Sequence, residues 1–198
     1  MNAQDSGLDT VAELRDGLGL TDRELQKEQI PVPKYRALYL DSQLKEDTAI
    51  GVWKDKAFRS LIRDMKTIED NDFELPENLE TILREYQKRG FLWLKTLQHN
   101  GFGGILADDM GLGKTLQVIA LLLSDYLEQK DDKETKYDRG TLIVSPASLV
   151  YNWKSEFEKF APELPVRMVS GTAAERAEII KNAGKQDILI TSYDLLKR

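Results

Sequence analysis

Ala107-Asp108-Asp109-Met110-Gly111-Leu112-Gly113-Lys114-Thr115 runs directly into the apolar stretch Leu116-Gln117-Val118-Ile119-Ala120-Leu121-Leu122. Before it stands Phe102 to Ala107, a short run with apolar residues that predicts a strand. After it, Lys114 to Glu128 predicts a helix that is apolar nearly all round, as expected of one lying on a sheet. The glycines therefore fall in a turn between strand and helix. Gly111 and Gly113 let the backbone turn tightly and approach a phosphate chain with no Cβ in the way. The first N–H groups of the following helix, together with its dipole, favour an anion. Lys114 supplies a point charge to β- and γ-phosphates, and the Thr115 hydroxyl can ligate Mg²⁺. The pattern departs from strict G-x-x-x-x-G-K-[ST], because the residue six before Lys114 is Asp108. A glycine-rich turn that ends in Lys-Thr by coincidence is the alternative reading.

Working outward, apolar strands and helices alternate. Thr141 to Ser145 (TLIVS), Val166 to Ser170 and Asp187 to Thr191 (DILIT) predict strands. Leu149 to Phe160 and Thr172 to Ala183 predict helices, the second with a Thr172–Glu175 capping box and Gly184 as C-cap. Lys130 to Arg139 reads as a charged loop. This order predicts an α/β fold with a parallel sheet and right-handed crossovers. Upstream, Pro76 starts a helix over Glu77 to Leu83, and a longer one covers Arg84 to His99 until Gly101, Gly103 and Gly104 end it.

The first 75 residues differ in style. Thr10 to Leu18 and Thr21 to Gln29 read as short amphipathic helices, and Thr21 and Glu24 have capping-box spacing. Pro31 and Pro33 interrupt. Tyr35, Leu38 and Tyr39, then Phe58, Leu61, Ile62 and Met65, recur at helical spacing, with their aromatic rings expected in a core. Residues 1–75 carry a net charge of -5 and residues 76–198 only -1. That shift, with the acidic stretch Glu69 to Glu74, predicts a boundary near residue 75 between a helical lead-in (1–75) and an α/β part (76–198).

Composition excludes several chemistries. The chain has 198 residues and no Cys, so disulfides, thiolate zinc sites and cysteine nucleophiles are ruled out. With the single His99, a multi-histidine metal site or histidine-based triad is not expected. The net charge of -6 argues against a wholly basic nucleic-acid-binding domain and leaves a local basic patch open. Met1 to Asp16 lacks the basic and apolar regions of a signal peptide, and the longest apolar run, Val118 to Leu123, is too short to span a bilayer. A cytoplasmic protein without membrane attachment is the expectation.

The departure at Asp108 points to a family. D-D-M-G-L-G-K-T followed by L-Q-V-I-A-L-L resembles motif I of the SWI/SNF-type ATPases of helicase superfamily two, which usually read D-E-M-G-L-G-K-T. Leu83-Arg84-Glu85-Tyr86-Gln87 with Gly90-Phe91-Leu92-Trp93-Leu94 resembles that family's L-R-x-Y-Q…G-x-x-W-L segment. Ile143-Val144-Ser145-Pro146-Ala147-Ser148-Leu149 with Asn152-Trp153 resembles motif Ia, and Ile190-Thr191-Ser192-Tyr193-Asp194-Leu195-Leu196 resembles motif Ib. The match covers about residues 79–198, with four motifs in the family's order. Bacterial members often carry a helical lead-in like residues 1–75.

The resemblance implies a RecA-like lobe that binds ATP and Mg²⁺. It makes Gln87 the adenine reader, with Arg84 near the base, a task suited to a carboxamide that both donates and accepts. It places the phosphates on Asp109, Met110, Gly111, Leu112, Gly113, Lys114 and Thr115, with Lys114 and Thr115 in the catalytic roles and Asp109 a shorter acid than the usual Glu. Ser145, Pro146, Ser148, Thr191 and Ser192, with Lys154 as a further candidate, would touch the phosphate backbone of double-stranded DNA without reading sequence. Capping by Ser148 and a turn at Thr191-Ser192 are the alternatives, and Trp153 is expected to pack rather than stack on bases. RNA polymerase or other DNA-bound proteins are candidate partners, with the protein at the nucleoid.

No D-E-x-H Walker B segment occurs up to Arg198. The expectation is a parent protein that translocates on duplex DNA using ATP, and a 198-residue piece without meaningful ATPase activity of its own. An incomplete sheet would expose a parallel edge open to self-association. Two other readings stay open: a protein-interaction module using the acidic helical segment beside a passive nucleotide-binding lobe, and an unrelated P-loop protein such as a small-molecule kinase.

Overall fold

A computed structural model describes residues 3–44, 51–68, 71–131 and 140–197. The charged loop expected over Lys130 to Arg139 lies almost wholly outside the described residues. The chain divides into two compact units: residues 1–71 with 96–102, and residues 72–95 with 103–198.

The first unit is helical. It holds α1 (Ala3–Leu18), α2 (Asp22–Leu25), a 3-10 turn at Lys34–Arg36, α3 (Ala37–Gln43) and α4 (Lys56–Lys66). Thr21 forms the expected capping box with Glu24, whose carboxylate accepts from the Thr21 N–H at 2.9 Å. Asp55 caps α4 by accepting from the Phe58 N–H at 2.6 Å. Helical spacing puts Leu61 and Ile62 inside with Ala37, and Phe58, Met65 and Phe102 pack around them.

The second unit carries the α/β order. It contains α5 (Glu77–Glu80), most of α6 (Glu85–His99), α7 (Lys114–Asp131), β1 (Thr141–Ser145), α8 (Ala147–Phe160), β2 (Val166–Met168), α9 (Ala173–Lys181), β3 (Ile188–Ser192) and α10 (Tyr193–Leu196). The strands form one parallel sheet in the order β1-β3-β2. Central β3 is the most buried of the three, as a strand covered on both faces must be, and its residues Ile188-Leu189-Ile190 read as a continuous apolar run. Its Ile188 and Ile190 join Phe91 of α6, Leu116, Ile119, Ala120 and Leu123 of α7, and Val150 and Phe157 of α8 in one core. Each such Leu, Ile, Val or Phe side chain removed from water contributes about 1.5–3 kcal/mol. Trp153 packs on this core, 6.1 Å from the Phe157 ring centre, in the packing role expected of it. Lys95 is also drawn in. Burial opposes its charge, but bonds to Glu128 at 2.7 Å and Asp125 at 2.9 Å outweigh that and raise its pKa.

Four expectations change. The helix expected over Thr21 to Gln29 is a single turn, Asp22–Leu25. Phe102 to Ala107 is not a strand: among the described residues no neighbouring strand pairs with it, and Ile105 is 86% exposed. A parallel strand exists only through its partner's hydrogen bonds, so apolar content alone could not make one. The helix expected over Glu77 to Leu83 is a single turn, Glu77–Glu80, with Pro76 as its N-cap. Gly184 is not a left-handed C-cap. Helix α9 ends at Lys181 with Asn182 as its C-cap, and the Gly184 N–H instead donates to the Asp187 carboxylate at 2.9 Å. The Thr172–Glu175 capping box forms as expected. No described helix is long and apolar enough to cross a membrane.

Candidate nucleotide-binding site

The loop of residues 108–113 turns onto the start of α7 through two left-handed glycines, Gly111 at φ 85° and Gly113 at φ 72°. At Gly113 the requirement is double, because a Cβ there would lie 2.4 Å from Gln87 Nε2. At Gly111 a Cβ would meet only open space, so its backbone conformation alone calls for glycine. Lys114 folds back over the loop, and its Nζ donates to the carbonyl oxygens of Asp108 at 2.7 Å and Asp109 at 2.9 Å. An ammonium has three donors, so one remains for a ligand. Thr115 is half-buried one residue into the helix. The Leu116 and Gln117 N–H groups bond to the Gly113 carbonyl, as the first internal bonds of α7. The N–H groups before them are those that an α-helix leaves without an internal acceptor. Asp109 and Met110 stand at the exposed tip of the loop. This donor set, a bare glycine turn with a lysine and a hydroxyl at a helix start, fits the phosphates of a nucleotide with Mg²⁺ on the Thr115 oxygen.

Gln87 is nearly buried at 6% exposed, and its carboxamide is spent on backbone. Its Oε1 accepts from the Arg84 N–H at 2.9 Å, and its Nε2 donates to the Leu112 carbonyl at 3.0 Å. In this geometry the side chain latches α6 to the phosphate loop. One donor and one lone pair remain on the group. The Arg84 side chain is exposed.

Two residues in this site escaped the sequence reading. The Tyr86 hydroxyl donates to the same Leu112 carbonyl at 3.2 Å. Gln117 is fully buried, and its Nε2 donates to Asp108 Oδ2 at 2.9 Å. A polar residue three places after Lys114, inside an otherwise apolar helical run, was the available signal for it.

The five residues assigned to DNA divide. Ser145 and Ser192 are register partners at the C-terminal ends of β1 and β3, so the sheet brings the two motifs together. Yet Ser145, Thr191 and Ser192 are buried, and their hydroxyls act within the fold. Thr191 donates to the Val169 carbonyl at 3.1 Å, Ser145 to the Pro146 carbonyl at 3.3 Å, and Ser192 caps α10 by accepting from the Leu195 N–H at 3.3 Å. Pro146 and Ser148 are exposed. Ser148 lies inside α8, and Pro146 rather than Ser148 occupies its N-cap. Lys154, on α8, pairs with Glu158 at 3.5 Å.

A parallel α/β sheet with a glycine turn and Lys-Thr opening its neighbouring helix defines a RecA-like nucleotide-binding lobe in part. Comparison with known proteins takes this further. The profile of the SNF2-related domain matches residues 86–198, and that of the bacterial SNF2 helicase-associated domain matches residues 2–76. The chain belongs to the SNF2-related family. It is 44% identical over 138 residues to an "uncharacterized ATP-dependent helicase" of Mycoplasma pneumoniae, covering 67% of this chain and 13% of the relative. It is 39% identical over 130 residues to the TATA-binding protein-associated factor MOT1 of Saccharomyces cerevisiae, covering 63% of this chain and 7% of that protein. The helicase SWR1 of Candida albicans is 43% identical over 128 residues, covering 63% and 7% respectively. The chain thus spans only a small part of the length of the relatives it matches.

Proposed function

We propose that this chain is the nucleotide-binding part of an ATPase that couples ATP hydrolysis to translocation along double-stranded DNA. The observation that carries the reading is the loop of residues 108–113, in which two left-handed glycines bring a lysine and the start of α7 onto one point. Lys114 would place its remaining donor on the β- and γ-phosphates, and the N–H groups of the first turn of α7 would hold the phosphate oxygens. Mg²⁺, held through Thr115 and the phosphates, would neutralise charge that builds up in phosphoryl transfer. Gln87 would keep the loop in shape and offer its spare donor and lone pair to a purine edge. Pro146 and Ser148, exposed at the C-terminal end of the sheet, are the best placed of the DNA candidates for backbone contact.

Residues 1–198 by themselves are expected to turn ATP over poorly. Phosphoryl transfer draws on positioning and charge neutralisation by several parts acting together, of which the loop of residues 108–113 is one. The name of the yeast relative, a TATA-binding protein-associated factor, supports a DNA-bound protein as partner; RNA polymerase as one such partner and a cytoplasmic place at the nucleoid belong to the proposal alone.

The test is ATP turnover by the full-length protein that contains this chain, with and without duplex DNA, beside its Lys114→Ala variant. DNA-stimulated turnover lost in Lys114→Ala, by about 2–4 kcal/mol in transition-state stabilisation, is expected. Turnover indifferent to Lys114 would sink the reading.

A further inference from the structure

Gln117 is the one buried side chain among the described residues with a polar atom that finds no partner. Its Oε1 is shut off from solvent and accepts no hydrogen bond. Helix α6 meets that oxygen with a bare Cα, since a Cβ on Gly90 would lie 1.8 Å from it. The neighbours of Gln117 on the inner face of α7 are Leu116, Ile119, Ala120 and Leu123. A carboxamide in such a place is costly, and a buried polar group left unsatisfied calls for an account. Its other end supplies one. Nε2 donates to Asp108 Oδ2 at 2.9 Å, and an ionised carboxylate selects the NH₂ end of the amide, which leaves the oxygen facing Gly90.

Asp108 stands where the strict phosphate-loop pattern has glycine, so an acid sits at the mouth of a site meant for anions. Its own carbonyl oxygen holds the Lys114 ammonium at 2.7 Å. The carboxylate of the same residue is thus close to the cation that a polyphosphate requires. Turned toward Gln117, it forms no ion pair with Lys114 among the described residues. Released, it could rotate to pair with the ammonium and compete with phosphate for it.

We propose that Gln117 is a positioning residue, whose carboxamide holds the Asp108 carboxylate away from Lys114 and so keeps the lysine's charge for the phosphates of a nucleotide. The inference rests on the phosphate-loop reading above. It is tested by binding of fluorescent methylanthraniloyl-ATP to the protein, with thermal unfolding of each variant recorded alongside. Gln117→Met keeps volume and removes the donor, with Gln117→Leu as a second variant should the first fold badly. Affinity is expected to fall about tenfold, as for loss of a hydrogen bond to a charged group. Adding Asp108→Asn to Gln117→Met removes the competing charge and should restore affinity, a rescue that a purely packing role would not produce. Wild-type affinity in both Gln117 variants, or a double variant as weak as Gln117→Met, overturns this inference while leaving the Lys114 reading intact. Equal binding by wild type and Lys114→Ala removes the phosphate-loop reading, and this inference with it.

Discussion

Gly113 carries two constraints at once. Its φ of 72° costs a side-chain-bearing residue about 1–2 kcal/mol, and a Cβ would strike Gln87 Nε2 at 2.4 Å. Gly113→Ala is therefore expected to push Gln87 off the Leu112 carbonyl, lower thermal stability and weaken nucleotide binding. Thermal unfolding with and without ATP checks it, and an ATP-induced rise in melting temperature equal to that of the wild type would refute it. The two loop glycines were legible in the sequence because left-handed backbone beside a Lys-Thr pair has a recognisable composition. Gln117 was not. Its partner Asp108 lies nine residues away around the turn, a pairing that no helical or strand period encodes. The buried hydroxyls of Ser145, Thr191 and Ser192 show the converse: motif residues visible in sequence are engaged inside the fold, where no pattern of letters places them.

Elements set by local chemistry were the readable ones. Helix α4 begins where Asp55 accepts from the Phe58 N–H and presents Leu61 and Ile62 inward at helical spacing. Asp55→Ala should destabilise the protein by about 1 kcal/mol, the usual worth of an N-cap, read as a shift in the urea midpoint with an unchanged slope. A shift near zero would mean that packing alone holds the start of the helix. Both capping boxes, at Thr21 and Thr172, formed as their spacing predicts, since a cap needs only residues three apart. Phe102 to Ala107 failed as a strand because a ladder needs a second strand, and that is a question about the rest of the sheet. The Glu77 helix stopped after one turn, before Thr81-Ile82-Leu83, although its residues allow a longer one.

At the scale of the molecule, each unit has its own core and its own electrostatic fastenings. In the helical unit, Asp41 lies between Lys54 at 2.7 Å and Lys66 at 2.6 Å. The hydrogen bond from Lys54, then that from Lys66, holds its pKa below the ordinary value, against a smaller opposing effect of burial. A lowered folded-state pKa stabilises above the unfolded value and is lost as pH falls through the folded one. Stability should thus decline below about pH 3.9, the unfolded Asp value, and Asp41→Asn should lose that part of the acid dependence. Identical acid melting curves for variant and wild type would refute it. The order of strands and helices from α7 onward, the parallel connection and the glycine turn before Lys114 were present in the amino-acid sequence, because apolar periodicity, glycine backbone freedom and cap chemistry act over a few residues. The order β1-β3-β2, the lack of a ladder at Phe102 to Ala107 among the described residues, the Gln87 latch on Leu112 and the hold of Gln117 on Asp108 were decided only by the tertiary structure. They depend on which groups meet across long stretches of chain, and a buried donor or acceptor must take whatever partner the packing brings within about 3 Å.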